Sequence, residues 1–284
     1  MNPNFRKLNE LFADCEEVTA STKFALALLR DGKAPQSRSI ADGLPGLKQI
    51  AVDDTKWAYK MSQSQLHAFD RVVTCNTGMS LVWGPPGTGK THWVASTMLY
   101  MMIAAQVAGK PFRVLVTAQN HHAIQTTLRS FSKLRASRPE DPDNSVVSLM
   151  KISRQDNTDS TSIGPDCLSI TSQKELRNAL RKLTGAKSMV LGSTVWNLRK
   201  YAEFANRSVT FDVIVVDEAS QMPTTEAFLA LMQVSANPGC QVILVSSLAT
   251  GFFTPVCLRS VMCCRRRKRS RQRRAVSVKQ EALL

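Results

Sequence analysis

The stretch SLVWGPPGTGKTHW, residues 80–93, decides how the rest of the chain is read. Its first four residues are apolar enough for a short buried strand. Residues 84–91, GPPGTGKT, fit the spacing G-x-x-x-x-G-K-[ST], and the apolar run that follows suits a helix. A strand that turns through glycines into a helix points several backbone N–H groups at one spot. Gly84, Gly87 and Gly89 allow the tight curl, with Pro85, Pro86 and Thr88 between them. The helix N-terminus adds partial positive charge. Lys90 is placed to reach β- and γ-phosphates, and the Thr91 hydroxyl is a hard oxygen ligand for Mg²⁺. The ligand this pattern predicts is ATP with Mg²⁺.

Working outward, strands and helices alternate from Gln63 onward. FRVLVTA (112–118) reads as a strand, and a helix is expected from about His121 to Ala136. VVSLMKI (146–152) is a weaker strand between two polar stretches expected to be loops. SQKELRNALRKL (172–183) reads as a helix capped by Ser172. SMVLGST (188–194), FDVIVVDEAS (211–220) and QVILV (241–245) read as strands, and TTEAFLALMQVSA (224–236) as a helix. This alternation predicts an α/β domain, a mostly parallel sheet with helices on both faces. Upstream, residues 1–60 divide into a helical segment, Asn2 to Leu29, and a polar linker from Asp31 to Gly46.

In FDVIVVDEAS, Asp217 and Glu218 follow directly on a continuous apolar run. Ligands of open α/β sheets sit at the C-terminal ends of the strands. An aspartate there can hold Mg²⁺, and a glutamate beside it can orient and deprotonate an attacking water. An acidic pair at that place could also do no more than cap the next helix. Its company with the phosphate loop in one α/β unit favours the catalytic reading, with Lys90, Asp217 and Glu218 as the reactive set.

Composition narrows the field further. The chain has 284 residues, 43% of them hydrophobic, and a formal net charge of +15. Residues 246–284 hold ten Lys and Arg against one Glu, so a short tail carries most of the net positive charge. That balance suits a polyanionic partner. The seven cysteines have no paired metal spacing, and His121 and His122 have no second ligand cluster beside them. The N-terminus has no apolar signal-like run, and the most apolar segment is interrupted by Ser96, Thr97 and Gln106. A reducing compartment, cytoplasmic or nuclear, and no membrane are expected.

With these residues in place, the chain resembles the superfamily 1 helicases, in the branch of the nonsense-mediated-decay helicase. Five stretches carry the resemblance in order: SQSQLHAF, GPPGTGKT, VTAQNHHAI, LGSTVW and VVDEASQM. Together they span about 63–245. The resemblance implies the first of two RecA-like P-loop NTPase domains, at 61–245. It implies that Gln65 reads the adenine edge and that Gln221 lies at the nucleotide. It also implies that Thr117, Asn120, His121 and Thr194 meet a single strand of RNA or DNA. The function so implied is an ATP-dependent DNA or RNA helicase motor. A non-catalytic nucleotide- and nucleic-acid-binding fragment, or another class of P-loop NTPase, are the alternatives.

After Val245 the family pattern continues with Gly-Asp, whereas this chain has Ser246-Ser247 and then loses periodicity. The expectation is a chain that stops short of the second motor domain. Residues 246–284 are then a disordered basic tail or a stretch read in another frame. A chain of that kind turns ATP over slowly.

Overall fold

The computed structural model describes residues 36–53, 60–137, 147–152, 163–181, 188–199, 209–231, 240–247 and 261–263. The helical segment expected at Asn2 to Leu29 lies outside them. So does the basic run 265–274.

Eight parallel strands form one sheet among the described residues. They are β1 Met79–Trp83, β2 Arg113–Thr117, β3 Val147–Ile152, β4 Cys167–Ile170, β5 Ser188–Gly192, β6 Val213–Val216, β7 Gln241–Ser246 and β8 Val261–Cys263. Their order is β4-β3-β5-β2-β6-β7-β1-β8. The helices are α1 Ile40–Gly43, α2 Leu47–Val52, α3 Gln63–Val73, α4 Lys90–Val107, α5 His121–Ala136, α6 Gln173–Arg181, α7 Val195–Arg199 and α8 Thr224–Leu231.

The central strands read as unbroken apolar runs because both faces of the sheet are covered. Successive side chains point to opposite faces. Val114 and Val116, Val213 and Val215, and Ile243 and Val245 pack in one core with α1 to α5. Leu115, Ile214, Val216, Val242 and Leu244 pack in the other with α6 to α8. Helix α4 is apolar nearly all round. Trp93, Met98, Tyr100, Met101 and Met102 are each no more than 1% exposed. Burying side chains of this size stabilises by about 1.5–3 kcal/mol apiece. Phe69 of α3 meets the Tyr100 ring edge-on at 5.7 Å, fixing α3 across α4. No helix among the described residues is long and apolar enough to cross a membrane.

Helix α5 lies close over β5 because Gly192 has no side chain. A Cβ there would come within 2.5 Å of Leu128 and 2.7 Å of Ile124. Helix α6 is capped by Ser172, whose Oγ accepts from the Glu175 N–H at 3.3 Å. In return the Glu175 carboxylate accepts from the Thr171 N–H at 2.7 Å and the Thr171 hydroxyl at 2.9 Å. These bonds hold its carboxyl below the usual range.

Three elements differ from expectation. Within the supposed linker, Ser39 caps α1, and Ile40 and Leu44 enter the same core as α4, joined by Leu47 and Ala51 of α2 just beyond it. Pro45 and Gly46 break the sequence into two short helices and so disguise the spacing. Strand β4 was not foreseen. It pairs with β3, and Leu168 at its middle is half exposed, so no alternating pattern marks it. Within the supposed tail, Val261–Cys263 lie alongside β1 as a parallel strand.

Candidate nucleotide site

All the strands run the same way, so the loops after β1, β2, β5, β6 and β7 share one rim of the sheet. The phosphate loop leaves β1 there. Gly87 and Gly89 adopt φ of 76° and 80°, the left-handed region that side chains avoid. At Gly89 a Cβ would also stand 2.9 Å from the Gln65 amide nitrogen. The Gly84 N–H donates to the Ser246 carbonyl at 3.1 Å, which ties the start of the loop to the end of β7. Lys90 is nearly buried. Its ammonium folds onto its own loop, donating to the Gly84 carbonyl at 2.8 Å and the Pro85 carbonyl at 3.2 Å. The Thr88 hydroxyl donates to the same Pro85 carbonyl at 2.8 Å.

Gln65 sits behind the loop. Its Oε1 accepts from the Ser62 N–H at 2.9 Å, and the Ser62 Oγ accepts from the Gln65 N–H at 3.3 Å, a reciprocal cap on α3. Its Nε2 donates to the Thr88 and Gly89 carbonyls at 3.2 and 3.4 Å. The Gln65 carbonyl accepts from the Trp93 indole N–H at 2.9 Å. Both ends of this amide are therefore engaged by protein. Gln65, expected as an adenine reader, fastens α3 to the phosphate loop in this structure.

The acidic pair follows β6. Asp217 is 5% exposed, and its N–H donates to the Thr117 carbonyl at 2.8 Å. One carboxylate oxygen accepts from the Thr127 hydroxyl at 2.7 Å, the other from the Glu218 N–H at 2.9 Å. Burial pushes the Asp217 carboxyl above the usual range. The Thr127 hydrogen bond, the Glu218 N–H bond and the Lys90 charge oppose that shift, and the Glu218 charge adds to it. Glu218 has φ 49° and ψ 43°, among the described residues the one non-glycine with positive φ. That conformation costs about 1–2 kcal/mol, and it turns the chain sharply off β6. Both Glu218 carboxylate oxygens accept from the Ser247 hydroxyl, at 3.0 and 2.9 Å. Gln221, expected at the nucleotide, is exposed on the turn that follows, where its N–H donates to the Glu218 carbonyl at 2.8 Å.

The expected nucleic-acid residues divide. Asn120 is exposed and caps α5, its Oδ1 accepting from the Ala123 N–H at 2.8 Å. His121 is half-buried beside it. Thr117 is 0% and Thr194 6% exposed, so neither hydroxyl lies open on the rim. The Thr117 carbonyl accepts from the Asp217 N–H at 2.8 Å, and the Thr194 carbonyl accepts from the Asn197 N–H at 3.0 Å. Two residues were not anticipated from the sequence. Thr127 shares the buried face of α5 with Ile124, Leu128 and Phe131, and Ser247 lies just past the last strand.

The chemistry of the donors fits Mg²⁺. Asp217 uses two of roughly four lone-pair positions on bonds to protein, leaving others for a cation. Hard oxygen ligands few in number are what Mg²⁺ takes when phosphates complete its shell. Among the described residues no group of three His, Cys, Asp or Glu could hold a metal by itself.

The buried carboxylate sets a pH dependence. A folded value raised above the unfolded one means that Asp217 favours the fold below the ordinary aspartate range. That contribution is lost as pH rises through the raised value. In Asp217→Asn the amide oxygen can keep the Glu218 N–H bond while its nitrogen donates to Thr127. The variant is therefore expected to melt above wild type near about pH 7, with the gain disappearing towards about pH 4. Thermal melts of both proteins across that range check it. A gain that grows on acidification would contradict the assignment.

Residues 60–192 match the family described as "AAA domain", a span that holds the phosphate loop and stops short of the acidic pair. No curated protein matches the sequence. Among solved structures, the chain is similar to a nuclease-deletion mutant of the Type ISP restriction-modification enzyme LlaGI in complex with a DNA substrate mimic. The TM-score is 0.50 at 18% identity, over 68% of this chain and 18% of that one. A second similar structure is the RNA-helicase Prp28 from Chaetomium thermophilum bound to ADP, with TM-score 0.46 and 14% identity over 95% of this chain and 65% of that one. This chain thus spans less than two thirds of either protein. With its phosphate loop on β1, its acidic strand β6 two places away and its sheet parallel throughout, the central part of the chain has a RecA-like P-loop fold.

Proposed function

We propose that this domain is the first motor domain of an ATP-dependent helicase, binding ATP·Mg²⁺ and a single strand of RNA or DNA. One observation carries the reading. The phosphate loop with its buried Lys90 and the buried Asp217 stand on one rim of the sheet, on strands β1 and β6 that only β7 separates. On this reading Lys90 exchanges the Gly84 and Pro85 carbonyls for β- and γ-phosphate oxygens. The loop N–H groups and the N-terminus of α4 hold the remaining phosphate charge. Thr91 and Asp217 would hold Mg²⁺, which when bound neutralises charge on the transferring phosphoryl group. Glu218 accepts the proton of the attacking water. Gln65 keeps the loop in shape from behind. On this reading Asn120 and His121 meet the strand, and the formal net charge of +15 favours such a partner.

Nucleic-acid-stimulated ATPase measurement tests the reading. The 284-residue chain should bind ATP·Mg²⁺, turn it over slowly, and turn it over faster when single-stranded RNA or DNA is added. Motors of this chemistry that use an arginine from outside the first domain gain roughly 10³–10⁵ in rate from it. Nucleotide binding with no turnover under any condition would instead assign a non-catalytic nucleotide-binding module. Turnover indifferent to nucleic acid would assign another kind of P-loop NTPase.

A further inference from the structure

We infer that Ser247 is a positioning residue for hydrolysis, holding the Glu218 carboxylate relative to the phosphate loop. The inference rests on the reading of Glu218 as the base. It starts from the strand order, which puts β7 between β1 and β6. The first residues past β7 therefore stand between the phosphate loop and the acidic pair. Ser246, the last residue of β7, accepts the Gly84 N–H through its carbonyl at 3.1 Å. Its neighbour Ser247 reaches the other way, and its hydroxyl lies 3.0 and 2.9 Å from the two Glu218 oxygens. Two consecutive residues thus tie the start of the phosphate loop and the carboxylate to one strand end.

The near-equal distances matter. The terminal torsion of a glutamate is broad and poorly held by its own rotamer preferences. A single hydroxyl shared between both oxygens sits near the bisector of the carboxylate and resists that rotation. It occupies one lone pair on each oxygen and leaves the others free to accept a proton from water. The left-handed backbone of Glu218 fixes the near end of the side chain, and Ser247 fixes the far end. A base so held keeps its alignment without having to find it in each turnover, and alignment errors of about 1 Å can cost roughly 10²-fold in rate.

The test is single-turnover hydrolysis of radiolabelled ATP·Mg²⁺ by the full chain with a single-stranded oligonucleotide present. Dissociation constants for ATP are measured in parallel. Ser247→Ala should lower the rate constant about 10-fold or more and leave ATP affinity unchanged. Ser247→Thr, which keeps the hydroxyl, should restore most of the rate. In a Glu218→Gln background, Ser247→Ala should add no further loss. If Glu218→Gln stops hydrolysis while Ser247→Ala runs at the wild-type rate, the inference is overturned and the base reading stands. Equal slowing by Ala and Thr also overturns it, because packing rather than the hydroxyl would then matter. If Glu218→Gln hydrolyses as fast as wild type, or wild type shows no hydrolysis above that variant, the base reading falls and takes this inference with it.

Discussion

Glu218→Gln is expected to bind ATP·Mg²⁺ about as tightly as wild type and to hydrolyse it roughly 10²–10⁴-fold more slowly. The amide keeps the length of the side chain and can still accept from Ser247 through its oxygen. What it loses is the second acceptor oxygen and the ability to take up a proton. The backbone turn at φ 49° is a property of position 218 in the fold, so the variant should keep it. Steady-state and single-turnover ATPase assays, beside a nucleotide titration, measure both halves of the expectation. A variant that hydrolysed at the wild-type rate would remove Glu218 from the chemistry. A variant that lost binding instead would make it part of the nucleotide pocket.

The second large effect belongs to Lys90. Its ammonium is nearly buried and its nearest partners are two carbonyls of its own loop. Such partners satisfy donors without neutralising charge, so the cation stays available for an anion. Truncating one side of a buried charged pair costs about 2–5 kcal/mol, or roughly 30- to several-thousand-fold in affinity. Lys90→Ala should weaken ATP·Mg²⁺ by that order and leave the melting temperature of the free protein close to wild type. Titration with a fluorescent ATP analogue reads the first result and a thermal melt the second. Equal nucleotide affinity in the two proteins would show that the loop does not hold phosphate in the assumed way.

Elements whose signals lie within one short stretch were legible in the sequence. GPPGTGKT names its own geometry, because a loop of that spacing between a strand and a helix has few other uses. VIVV before Asp217 marks a strand buried on both faces, and the sheet order duly puts β6 between β2 and β7. Ser172 and Glu175 spell their cap in four residues. Ser62 and Gln65 spell one too, but the same glutamine also fits a nucleotide-reading motif. Only the structure shows its amide engaged with Ser62, Thr88 and Gly89. What escaped were contacts between residues distant along the chain. Thr127 reaches Asp217 across 90 residues and Ser247 reaches Glu218 across 29. No local pattern requires either, since a buried threonine on a helix and a serine after a strand are individually ordinary. Thr117 and Thr194 are buried, which the sequence alone does not announce. Resemblance puts them at a strand-binding rim; Thr117 ends β2 and Thr194 lies two residues past β5, and side chains at such places turn inward as easily as outward.

The strand order also bears on how the chain is made. Met79 in β1 pairs with Val242 in β7, so β1 has no partner on that side until the ribosome has produced nearly all of the domain. At about 5–20 residues per second, that delay is of the order of ten to thirty seconds. Through most of it α4, apolar on almost every side, is made but lacks the complete sheet that later hides it. A nascent chain in that condition exposes the kind of surface that chaperones bind. Its folding is a late, collective step rather than a progressive one, because β6 and β7 must slot between strands synthesised long before them.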